Sequence, residues 1–256
     1  MIAIAFFAAI IIVIFLVFQL VKDNKSFVSE NEDSSTNGDT VKTFDKISHY
    51  TSVSLGTFKL PLWQPGQTIT IKFLNGTKIL HSTTEIIAKE WLQYANLHFV
   101  FVTSGKADIR VKFEDDPFQS WSFMGTQARG VHADEPTMRL PVNSGAEFKK
   151  SVLHEFGHVL GLIHETHNPN SNIKWDTLAV YKRYGGPPNN WSKPTIDEQI
   201  IGKYSNITPG WRPFDPKSIM LYPIERTLTL DGLETAENYE LSESDKYIVA
   251  MLYPND

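Results

Sequence analysis

The chain contains no cysteine. Disulfides, a thiolate nucleophile and every cysteine-based metal site are therefore excluded. Any bound metal must be held by histidine, carboxylate, tyrosine or water. A basic block is also missing: the formal net charge is −5, with 24 Lys and Arg against 29 Asp and Glu. That leaves no electrostatic footprint for nucleic acid. No segment of the 256 residues repeats, which argues against a solenoid. Apolar material is ample, at 41% hydrophobic and 12% aromatic residues, so one substantial packed domain is within reach.

Long apolar runs are equally scarce, with one exception at the N-terminus. Ile2 to Val21 is apolar apart from Gln19 and carries no charge. About 20 helical residues at roughly 1.5 Å each span a hydrocarbon core of about 30 Å. The start Met1-Ile2-Ala3-Ile4 has no basic residue, and no Ala-x-Ala follows Phe18. Residues 1–21 are therefore read as an uncleaved single-pass membrane anchor in preference to a removed signal peptide. The body is then expected outside the cell at the membrane, or secreted if the run is cleaved. Residues 22–56 are polar (SENEDSSTNGDTVK from Ser29) and predict a stalk or propeptide. A catalytic domain is expected over residues 57–256.

Within that domain the pattern changes from period two to period 3.6. Thr68 to Leu74 (TITIKFL) alternates as a half-buried strand does, and Asn75-Gly76 turns the chain. Ser82-Thr83-Thr84-Glu85 has the form of a capping box and predicts a helix through Tyr94, with Ile86, Ile87, Ala88, Trp91 and Leu92 inward. Strands are expected over Leu97–Val102 and Ala107–Phe113, and an irregular edge strand within Trp121–Leu140. Strand, helix, strand, strand implies an α/β opening on a mixed sheet. A second helix is expected from about Ala146 to Leu160. A long irregular stretch then runs from Asn168 to Pro213, and Ser242 caps a terminal helix through Leu252.

The chemistry concentrates in His154-Glu155-Phe156-Gly157-His158, continuing through Gly161 to His164. Residues four apart share a helix face, so His154 and His158 can hold one zinc ion with Glu155 between them. Gly161 permits the sharp turn that brings His164 back as a third ligand. Three protein ligands leave a position open, as hydrolytic zinc requires and structural zinc does not. Zinc lowers the pKa of water to about 7 and polarises a carbonyl. Glu155 is the expected general base, which passes the proton on to a leaving amine. A catalytically inactive, membrane-tethered zinc-binding module is the competing reading, but it has no need of Glu155. His167 follows closely, yet the Asn168-Pro169 step breaks any helix there, so it is read as a loop residue.

This run resembles the metzincin signature His-Glu-x-x-His-x-x-Gly-x-x-His, and Ser218-Ile219-Met220-Leu221-Tyr222 resembles the Met-turn that follows it. Glu165 and Tyr222 resemble the astacin branch. The resemblance is closer still to the cysteine-poor microbial type, through Ala107-Asp108-Ile109-Arg110, Trp121-Ser122, Gly125-Thr126, Trp175-Asp176 and Phe214-Asp215. The resemblance spans roughly Leu60 to Pro254. It implies an α+β, zincin-like fold: a mixed twisted sheet, a long helix in the N-terminal half, an active-site helix, and a mostly irregular C-terminal subdomain ending in a helix. It also implies one zinc per chain and an extended peptide substrate paired with the strand at Trp121–Thr126. Met220 is then a floor beneath the metal, Tyr222 a switchable fifth ligand that steadies an oxyanion, and Glu165 a holder of the matured N-terminus. Leu221 stands where the family usually has histidine.

Overall fold

The computed structural model describes residues 53–115, 120–208 and 213–255. All of them lie in one unit, Ile47–Asp256. The expected anchor over residues 1–21 and most of the expected stalk lie outside the described residues. Among the described residues no helix is long and apolar enough to cross a membrane.

Among the described residues, seven strands and five α-helices follow in chain order. The strands are β1 (Val53–Lys59), β2 (Thr68–Phe73), β3 (His98–Val102), β4 (Ile109–Glu114), β5 (Trp121–Ser122), β6 (Met138–Pro141) and β7 (Gly202–Thr208). The helices are α1 (Lys78–Ala88), α2 (Gly145–Val159), α3 (Thr177–Gly185), α4 (Lys193–Ile196) and α5 (Glu243–Leu252). The main sheet has the order β3-β2-β4-β6-β5. Its inner pairs are parallel, and β5 closes one edge antiparallel to β6. The sheet is mixed, as the α/β opening implied. β1 straddles the expected domain start and pairs parallel with β7 in a separate ribbon.

Three expectations need correction. α1 starts at Lys78, capped by the Thr77 hydroxyl, which accepts from the Leu80 N–H at 3.2 Å. Ser82 to Glu85 therefore lie inside the helix, and the Ser82 hydroxyl donates back to the Ile79 carbonyl. Thr77, not expected as a cap from the sequence, caps the helix directly after the Asn75-Gly76 turn. α1 buries Thr84, Ile87 and Ala88, spaced for one face. Ile86 is rotated about 100° away and is 70% exposed.

The stretch within Trp121–Leu140 divides into the short edge strand β5 and the interior strand β6. The stretch from Asn168 to Pro213, expected to be irregular, contains α3, α4, a π turn over Asp197–Ile201, and β7. Asp176 caps α3 by accepting from the Ala179 N–H. Asn, Pro and Gly punctuate this region at element ends, which hid the short elements between them.

Two apolar cores result. The larger joins the sheet, α1, α2 and α5 around Trp63, Trp91, Phe148, Phe156 and Tyr253. The smaller gathers Ile173, Trp175, Val180, Ile196, Ile200 and Leu228. Met220 belongs to the first core and Leu221 to the second, so the Met-turn sits on their seam. Burying a large apolar side chain contributes about 1.5–3 kcal/mol. Leu221, at 4% exposure, thus anchors the second core.

Candidate metal centre

The centre is built on the C-terminal half of α2. Three aromatic donors fix that half. Trp91 Nε1 donates to the Leu153 carbonyl at 3.0 Å, Trp63 Nε1 to Val159 at 2.6 Å, and the Tyr253 hydroxyl to Leu160 at 2.8 Å. The last two satisfy carbonyls that a helix end leaves without partners. Gly157, between the histidines, faces the Met-turn. A Cβ there would lie 2.3 Å from Met220 Sδ, so only glycine allows the approach.

Gly161 ends the helix at φ +83. Its N–H bonds the His158 carbonyl at 2.8 Å, and the Leu162 N–H bonds the Gly157 carbonyl at 3.0 Å. This left-handed Schellman turn reverses the chain toward the site. The Leu162 carbonyl then accepts from His158 Nδ1 at 2.8 Å, so the turn also orients a ligand.

His154, His158 and His164 meet with their candidate ligand atoms within 4.8 Å of one another. All three are buried, at 6%, 8% and 8% exposure. His154 donates from Nδ1 to the Ile219 carbonyl at 2.8 Å, 65 residues away. His164 bonds the Gln199 backbone. With each Nδ1 committed to a carbonyl, each Nε2 carries a bare lone pair. His154 Nε2 is buried with no partner among the described residues, and His158 Nε2 faces His164 Nε2 at 3.2 Å. Two facing lone pairs repel unless a cation lies against both. Tetrahedral zinc with bonds of about 2.0–2.1 Å separates its nitrogens by about 3.3 Å. The donor set fits one zinc ion.

Electrostatics agree. Burial holds His154 down at about 3 and His158 at about 4, and His164 well below its ordinary value. All three are neutral ligands near pH 7. Glu155, 1% exposed, is pushed up to about 8 by burial, against a hydrogen bond with Ser120. Its Oε2 has no partner among the described residues. Tyr222 is the open member of the group, 38% exposed, with its ring 5.1 Å from that of His154 and 4.9 Å from that of His164. Desolvation first, and Glu155 second, raise its phenol above the ordinary value.

Every residue singled out in the motif is therefore brought together: three histidines, Glu155, Met220 and Tyr222. Glu165 is buried beside them. Its N–H donates to the Met220 carbonyl, and its Oε1 accepts from Asn168 Nδ2 and the Asp215 N–H. Burial pushes this carboxyl up to about 7. His167 differs from its reading as a loop residue: it closes a 3-10 turn over Glu165–His167, is 6% exposed and lies outside the ligand group.

Asp245 carries no sign in the sequence of a part in this centre. Its carboxylate accepts from the Ser218 hydroxyl at 2.7 Å, the Ile219 N–H at 2.8 Å and the Ser242 N–H at 2.9 Å. The terminal helix thereby holds the peptide whose carbonyl orients His154. Ser120 carried no signal, since a lone serine before a strand is common.

Comparison with known proteins agrees with this geometry. No protein-family model matches the chain. One solved structure of myroilysin superposes with a TM-score of 0.72 at 40% identity, covering 77% of this chain and 97% of that one. A second myroilysin structure gives 0.58 at 34% identity, covering 85% and 99%. Human matrix metalloproteinase-20 is 30% identical over 144 residues, 49% of this chain. The chain spans only 29% of that protein's length.

Proposed function

This chain belongs to the metzincin family of zinc metallopeptidases, alongside myroilysin, and from that premise we propose that it is an astacin-like endopeptidase with Glu155 as general base. The observation that carries the proposal is the Glu155 carboxylate: buried, one residue from the first ligand, with one oxygen unused. A binding module would gain nothing from so costly a group.

His154, His158 and His164 would hold the zinc ion, which would supply a Lewis acid and lower the pKa of water to about 7. Glu155 takes the proton of the attacking water and returns it to the leaving amine nitrogen. A carboxyl one residue from the first ligand, with one oxygen unused, is placed for both transfers. Tyr222 keeps its phenolic proton near neutral pH, since a phenol titrates near 10 even without the upward shift, and its O–H donates to the oxyanion as charge develops. Edge strand β5 offers backbone groups to an extended peptide. Residues 2–21 tether the domain to a membrane, and resistance of the protein to alkaline extraction from membranes tests that part.

The full-length chain should cleave casein, and a zinc chelator should stop it. Glu155→Gln should abolish cleavage while metal content stays near one ion per chain. Wild-type protein that holds zinc yet cleaves nothing in a broad peptide library would replace the endopeptidase with the binding module.

A further inference from the structure

Among the described residues, His167 is the one histidine beside the ligand group with no part in the chemistry above. It is 6% exposed, and its ring lies 5.3 Å from that of His164. It also meets the Tyr204 ring edge to face at 5.7 Å. Its own N–H bonds the His164 carbonyl at 3.0 Å, closing the turn that follows the third ligand. Its Nε2 has no partner among the described residues. An unpaired buried nitrogen lowers stability, and a leucine or phenylalanine would fill this space without that loss.

The use of the ring lies on its other nitrogen. The π turn Asp197–Ile201 ends with the Gly202 N–H on the Asp197 carbonyl, and the chain leaves into β7. The carbonyls of Glu198 and Gln199 are thus left at a helix end, where donors are missing and partial negative charge accumulates. Imidazoles meet them. His164 bonds the Gln199 backbone, and His167 bonds the Gln199 and Glu198 backbones. Since His164 Nε2 faces His158 and His167 Nε2 is unpaired, both bonds come from Nδ1.

We propose that His167 is a positioning residue for the third zinc ligand: with His164 it clamps the Gln199 carbonyl of the π turn, and so fixes the tautomer and direction of the His164 ring. The first two ligands take their acceptors from Ile219 and Leu162, in segments already tied down by Asp245 and the Gly161 turn. Gln199 lies in an irregular turn of the second core, and His167 supplies the missing restraint. The proposal rests on the zinc reading above.

The test uses the full-length chain, with zinc affinity measured by competition against a chromophoric chelator. His167→Leu fills the space but removes the donor. His167→Gln retains an N–H that can reach the Gln199 carbonyl. Loss of an outer-shell partner weakens metal binding by about 10–100-fold, and the lower end is expected for His167→Leu because His164 keeps its own bond to Gln199. The glutamine variant should recover most of that loss. The visible bands of the cobalt-substituted protein should shift in the leucine variant, while the melting temperature of the metal-free protein stays unchanged or rises. A folded leucine variant that binds zinc within about twofold of wild type would overturn the proposal and leave the zinc reading intact. Equal falls in metal-free stability and zinc affinity in both variants would make His167 an ordinary core residue. Wild-type protein that binds no zinc would overturn both readings together.

Discussion

Replacement of Asp245 by alanine tests whether the terminal helix holds the metal centre. The carboxylate is 2% exposed and accepts three donors: the Ser218 hydroxyl, the Ile219 N–H and the Ser242 N–H. Ser218 and Ile219 are themselves buried, at 2% and 1%, so water cannot replace the lost acceptor. Leaving a buried donor unpaired costs about 1–3 kcal/mol, and the two together about 4 kcal/mol. Ser242 lies nearer solvent and adds little. A domain of about 200 residues loses roughly 2–4 °C of Tm per kcal/mol, so Asp245→Ala should melt about 8–16 °C lower. Asp245→Asn keeps an oxygen for the two backbone N–H groups and loses only charge assistance, about 1–2 kcal/mol. The assay is thermal unfolding by circular dichroism on metal-free and zinc-loaded protein, with zinc affinity measured in parallel. Because the Ile219 carbonyl orients His154, affinity should fall about tenfold in the alanine variant. An alanine variant melting within about 2 °C of wild type would refute the reasoning, as would an asparagine variant as damaged as alanine.

Gly157→Ala places a Cβ 2.3 Å from Met220 Sδ, in a spot where Met220 is 2% exposed. Overpacking of about 1–3 kcal/mol should exceed the helix-propensity gain of about 1 kcal/mol, so chemical denaturation should show a net loss. Tyr222→Phe should lower kcat about 10²–10³-fold with zinc content unchanged by elemental analysis; an unaltered kcat would remove the phenol from the oxyanion role. Burial raises the Asp108 carboxyl, but the Thr70 and Arg129 bonds outweigh it and leave it below its ordinary value of 3.8. A carboxylate depressed on folding contributes stability above its unfolded pKa and loses it as pH falls through the folded value. The Tm gap between wild type and Asp108→Asn should therefore be steady near neutrality and narrow below about pH 4. A gap that widens on acidification would show the opposite shift.

Residues within one or two helical turns of each other are related by fixed geometry, and there the sequence alone determined the outcome. His154 and His158 share a face because the helical period places them so, Gly161 turns the chain because φ +83 suits glycine, and Ser242 with Asp245 caps α5. The same locality misled at α1, where Ser82 to Glu85 has the form of a capping box yet lies inside a helix that Thr77 caps. The smaller core escaped notice because its short elements are separated by Asn, Pro and Gly that signal irregular chain. What only the tertiary structure decided is where the lone pairs point. The acceptors that orient His154 and His164 come from Ile219 and the Gln199 backbone, far along the chain, and Asp245 braces the first of them from another helix. A backbone carbonyl is common to every residue, so no side-chain pattern can mark which ones will serve. That choice belongs to the packing of two cores on either side of Met220 and Leu221, which brings distant carbonyls to within hydrogen-bond reach of the histidines.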